Sequence, residues 1–127
     1  MALTAGSCIV FQNKGRRIPF ILLTNPEGNP PRGLVVSFEP LDSAMSDQTV
    51  ILCGEHPLFP IHTAVKYSSA RVVDLQNVES ALTNANSGVQ LHKESPCSAE
   101  LLETLREGMS LSPYAAPKYK NYCEEHS

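Results

Sequence analysis

The chain has 127 residues, 42% of them hydrophobic and 18% charged, with a formal net charge of −3. That length carries one core of ordinary size, the apolar fraction excludes wholesale disorder, and no apolar run approaches the ~20 residues of a membrane-spanning helix. Charge is uneven: residues 1–38 hold Lys14, Arg16, Arg17 and Arg32 against Glu27, while residues 39–127 hold six basic and twelve acidic residues, a balance that disfavours tight nonspecific DNA binding but leaves a local basic cluster around Arg17.

In chain order, residues 7–11 (SCIVF) and 18–24 (IPFILLT) read as strands, being short apolar runs rich in β-branched and aromatic side chains. The turn-like stretch 12–17 with Gly15 separates them. Residues 25–33 (NPEGNPPRG) form a loop on composition, with three prolines, two glycines and two asparagines. Four more strands are predicted over 34–38, 49–53, 63–67 and 70–74, with a polar connection over 39–48. Asp74 then caps a helix in which Leu75, Val78 and Leu82 recur at helical spacing, with Gly88 beyond its end. A second helix follows Ser95 or Ser98, with Leu101, Leu102, Leu105 and Met109 in one stripe and Gly108 near its C-terminal cap. Residues 112–127, with Pro113, Pro117 and three tyrosines, read as a surface tail.

Short strands without crossover helices, followed by helices, predict an α+β domain: a small, strongly bent antiparallel β-barrel with C-terminal helices. The whole chain, 1–127, reads as a single domain, with the barrel over about 7–74, helices over about 75–110 and the tail over 112–127. The expected core includes Ile9, Phe20, Leu22, Val35, Ile51, Val65, Val72, Leu101 and Leu105. The opening MALTAGSC lacks a signal-peptide pattern and the four cysteines are widely spaced with no C-x-x-C pair, so free thiols and a cytoplasmic location are expected.

No P-loop, G-x-G-x-x-G, H-E-x-x-H or G-x-S-x-G occurs. The densest polar constellation runs from Glu55 to Arg71 and contains His56, His62, Thr63, Lys66 and Tyr67. On a strand, Thr63, Val65 and Tyr67 share one face, and His62, Ala64 and Lys66 the other. Three readings of this segment stand side by side. Cys53, His56, His62 and His92 offer metal-type donors, but their spacing matches no structural zinc pattern, and no metal or cofactor is expected. Acid–base work on an RNA phosphodiester would use His56 or His62 to move protons and Lys66 or Arg71 to hold the phosphate. In the third reading, the histidines are a turn and a strand end, and Tyr67 is an aromatic at the core edge.

The run Leu52, Gly54, Glu55, His56, Pro57, Leu58, His62, Thr63, Val65, Tyr67 and Ala70, together with S-P-Y-x-x-P-K from Ser112 to Lys118, resembles the PemK/MazF-like toxin superfamily of SH3-like barrels, which includes sequence-selective endoribonucleases. The resemblance implies RNA contact across a shallow groove, a homodimer, and an antitoxin protein as partner. His56, His62, Thr63 and Tyr67 match the motif directly. Such toxins carry a Thr-Ser or Thr-Thr pair after the third strand; here Ser37-Phe38-Glu39-Pro40 stands there, leaving Ser37 or Ser43 to supply a hydroxyl, beside an acidic Glu39 that repels phosphate. The expected catalytic residues are His56, His62, Thr63 and Arg71, and the expected substrate-binding residues are Arg17, Ser37, Lys66 and Tyr67. Two functions follow as alternatives: a toxin-like RNA-binding protein acting as a metal-independent endoribonuclease, or a non-catalytic protein-interaction module on the same barrel. Exposed strand edges further predict a symmetric homodimer, with the strand over 7–11 and the stripe from Leu101 to Met109 as edge and cover and the tail tyrosines nearby; the competing reading is that the tail folds back over its own sheet and caps the edge internally.

Overall fold

The computed structural model describes residues 3–13, 16–40, 47–56, 62–83, 90–94 and 96–127. The expectations that rest on Lys14, Gly15, Ser43, Pro57, Leu58, Gly88 and Ser95, and on most of the connection over 39–48, lie outside the described residues. Six strands are formed: β1 (Cys8–Asn13), β2 (Arg16–Leu22), β3 (Arg32–Pro40), β4 (Ile51–Leu52), β5 (Thr63–Asp74) and β6 (Gln90–Glu94). The helices are α1 (Leu75–Thr83), α2 (Ala99–Leu111) and α3 (Pro117–His126). The strands lie in the order β4-β5-β3-β2-β1-β6 and every neighbouring pair is antiparallel. The five longer strands curl into a half-barrel, giving an α+β fold.

Strict alternation along the strands sorts side chains to two faces. Cys8, Ile21, Val36, Phe38, Val65 and Tyr67 join Leu101, Leu105 and Met109 of α2 and Cys123 of α3 in the larger core cluster. Ile9, Leu22 and Val35, one residue out of phase, join Leu3 and Leu75 in a second cluster under α1. Both helical caps expected from the sequence form. Asp74 Oδ1 accepts from the amides of Gln76 (2.9 Å) and Asn77 (3.3 Å) at the start of α1. Ser98 Oγ accepts from Leu101 N (3.1 Å) at the start of α2.

Several expectations are corrected. The strands over 63–67 and 70–74 are one strand, β5, whose pairing with β3 steps from Ser37↔Lys66 to Val35↔Arg71. Tyr67 to Ala70 stand opposite the single residue Val36 there and form a bulge. Ser69 ties it down: its hydroxyl accepts from Ser37 N (3.0 Å) and Ser37 Oγ (2.7 Å) and donates to the Lys66 carbonyl (2.6 Å). The strand expected over 49–53 contracts to two residues, and Ile51, placed in the core by its composition, is 42% exposed while Leu52 is buried. Residues 7–11 are not an edge, because β6, too polar to register as a strand, pairs with β1 along its outer side.

α2 continues past Gly108 to a cap at Ser112. Gly108 serves close approach instead: a Cβ there would collide with the Tyr67 hydroxyl and with Val50. The surface tail is α3, started by Pro117 at its first turn and docked through buried Cys123 and partly buried Tyr119 and Tyr122. Ser112, buried between α2 and α3, donates to Asp47 Oδ2 (2.6 Å) and accepts from Tyr114 N (3.1 Å).

Candidate functional site

The residues singled out in the sequence separate once the faces are known. Register places Ile9, Phe20, Ser37 and Lys66 side by side across four strands, with Leu22, Val35 and Arg71 in the adjoining row. This is the face under which α1 lies, and α1 covers only part of it. Phe11, Ile18 and Phe20 are half-buried there, and Lys66 and Arg71 are exposed. The Arg71 guanidinium sits 5.6 Å from the centroid of the Phe20 ring, a cation–π arrangement that holds the charge over the sheet. The face therefore brings together Ser37, Lys66 and Arg71.

His62 is exposed and shares the alternation of Lys66, four residues earlier, or roughly 13 Å of extended chain. Thr63 is half-buried, paired with Pro40 on one side and Leu52 on the other, and alternates with Val65 and Tyr67 toward the face packed by α2 and α3, away from Lys66. His56 is buried in the turn after β4, where the Glu55 carboxylate caps Cys53 N at 3.0 Å. Arg17 is exposed, opposite Gln12 in the β1–β2 ladder, and alternates to the face away from Lys66 and Arg71.

Two hydroxyls of the expected set are committed inside the fold. Ser37 gives its proton to Ser69. Tyr67, which we expected to contact substrate, is 0% exposed and donates to the Leu105 carbonyl at 2.8 Å. Burial pushes its pKa far above the ordinary tyrosine range, with the charges of Asp47 and Cys123 adding to the effect. Buried this way, Tyr67 packs the core and does not reach a groove. Among the described residues, no three or more His, Cys, Asp or Glu side chains gather as metal ligands. None of the four cysteines forms a disulfide.

Sequence reasoning missed Phe20 as a site residue, having placed it only in the core. Its signal was present in residues 18–22, where Ile18, Phe20 and Leu22 share one face and Leu22 alone is fully covered. What the arrangement offers chemically is an apolar, aromatic surface bordered by two mobile-length cations: stacking area beside phosphate-sized charge.

No helix among the described residues is long and apolar enough to cross a membrane. Compared with known proteins, the chain matches no family model and no curated protein.

Proposed function

We propose that this chain binds single-stranded RNA across the partly open sheet face, as a PemK/MazF-like protein would, with Lys66 and Arg71 pairing with phosphates and Phe20 stacking a base. The observation that carries this reading is the convergence of Phe20, Lys66 and Arg71 on one face, held by the register of β2, β3 and β5. Stacking on an aromatic ring tolerates any base, and two phosphate contacts confer salt dependence. Binding is favoured over cleavage because the Ser37 and Tyr67 hydroxyls, which a phosphodiester reaction would draw on, are spent on Ser69 and Leu105. Among the described residues, His62 is the exposed imidazole that could move a proton on this reading.

The test is fluorescence anisotropy with a labelled oligouridine at several salt concentrations. Replacing both Lys66 and Arg71 by Ala should weaken binding at least about tenfold and flatten the salt slope by about 1 to 2. Phe20→Ala should weaken it by the ~1–3 kcal/mol of one stacked base. Equal affinity in all variants would remove RNA from this face and leave the protein-interaction module. Running the same RNA on denaturing gels with EDTA decides cleavage, which a His62→Ala variant must abolish if His62 carries it. The same reading brings a homodimer and an antitoxin protein as partner. Light scattering should then give twice 13.8 kDa, stable to dilution.

A further inference from the structure

Between α1 and the sheet lies a pocket of about 120 Å³ lined by Ile9, Phe20, Val35, Arg71, Val73 and Val78. Ile9 and Val35 are buried and form its floor, while Phe20, Val73 and Val78 are half-exposed, so the pocket opens to solvent. Five of its six residues are apolar, and the sixth, Arg71, is exposed with its guanidinium held near the Phe20 ring. An apolar cavity of ~150 Å³ admits benzene; this space is somewhat smaller but open on its solvent side, so one ring can seat there without being fully enclosed.

We propose that the pocket binds an aromatic carboxylate, with its ring among the aliphatic side chains and its carboxylate paired with Arg71. Charge complementarity selects the head group, because a guanidinium presents a planar fork of donors that matches two carboxylate oxygens. The lining selects the body. A nucleobase would bury ring nitrogens and carbonyls against Ile9, Val35 and Val73, which offer no partner, and that burial is costly. A plain hydrocarbon ring carries no such penalty. A hydrocarbon without charge would leave Arg71 unused, and a small anion without a ring would leave the pocket empty. The inference does not need the face to take RNA, but Arg71 and Phe20 serve both readings, so RNA and the carboxylate would compete for them.

The experiment is a methyl NMR titration of the full chain with sodium benzoate, with acetate and benzyl alcohol titrated in parallel. Saturable shifts are expected at Ile9, Val35, Val73 and Val78, with a roughly millimolar midpoint. Acetate should leave these methyls unmoved, and benzyl alcohol should bind about tenfold more weakly, as should benzoate to Arg71→Gln. Val78→Trp, which fills the pocket, should abolish the response; if that variant fails to fold, Arg71→Gln and the acetate comparison decide. The proposal is overturned if benzoate and acetate act alike, if benzyl alcohol binds as well as benzoate, or if the four methyls show no saturable change.

Discussion

Tyr67 concentrates most of what a single residue does in this fold. Its ring fills the larger core, its hydroxyl bonds the Leu105 carbonyl, and Gly108 leaves the space that lets it lie against α2. Because burial raises its pKa, the folded chain keeps the phenolic proton at pH values where an unfolded tyrosine, titrating near about 10, releases it. Below that pH both states hold the proton, and stability does not change on this account. Above it the unfolded state is favoured progressively, so the tyrosine's contribution is lost as pH rises toward its folded value. The thiols of partly buried Cys97 and buried Cys123 are raised as well, so the decline begins nearer the ordinary thiol value of 9.0. Tyr67→Phe should cost about 1 kcal/mol at neutral pH through the lost bond. It should also lose stability less steeply than wild type above pH ~10, measured by urea midpoints from pH 8 to 11. Parallel curves would place the alkaline sensitivity elsewhere.

At the scale of elements, the bulge in β5 sets where Arg71 lands relative to Lys66, and Ser69 is the hydroxyl that closes it. Ser69→Ala removes three hydrogen bonds and strands both the amide and the hydroxyl of buried Ser37, which should cost about 2–3 kcal/mol. Ser37→Ala removes one bond and leaves Ser69 satisfied by Lys66, so about 1 kcal/mol is expected. In the Ser69→Ala background, Ser37→Ala should be close to neutral because it deletes a stranded hydroxyl. A double-mutant cycle by urea denaturation checks that coupling, and additive values would break the clip apart. The sequence reading found β1, β2, β3, α1 and α2 because apolar alternation and capping residues mark them. It split β5 because Ser68 and Ser69 interrupt the apolar pattern, and a bulge is a tertiary choice that periodicity does not encode. It missed β6 and α3 because QLHKE and PKYKNYCEEH are polar stretches whose structure comes from what they dock on. For the site, alternation put Lys66 and Tyr67 on opposite faces. Which face was covered depended on α3, so Tyr67 was assigned to the groove when it belongs to the core.

For the molecule as a whole, α3 decides between folding and assembly. A ten-residue helix is marginal by itself, so its stability comes from the surface it rests on. Here that surface is the cluster containing Phe38, Tyr67, Leu105 and Met109, which α3 enters through Cys123, Tyr119 and Tyr122. Two long-range hydrogen bonds hold the same corner: the Arg106 side chain donates through Nε to the Leu23 carbonyl at 2.8 Å, and Asn25 N donates to the His126 carbonyl at 3.4 Å. Had the C-terminal tyrosines served an interface between two copies, removing residues 113–127 would leave a folded monomer. Packed as they are, the same deletion opens one face of the larger core to water and should leave secondary structure without fixed packing. Truncation should therefore abolish the near-ultraviolet circular dichroism and bring on binding of a hydrophobic dye, while much of the far-ultraviolet signal persists. Tyr119→Ala combined with Tyr122→Ala should lower the urea midpoint without changing the mass by light scattering. A truncated chain that still unfolds cooperatively at the wild-type midpoint, but at half the scattering mass, would return these tyrosines to an interface and overturn the reading of α3 as part of the core.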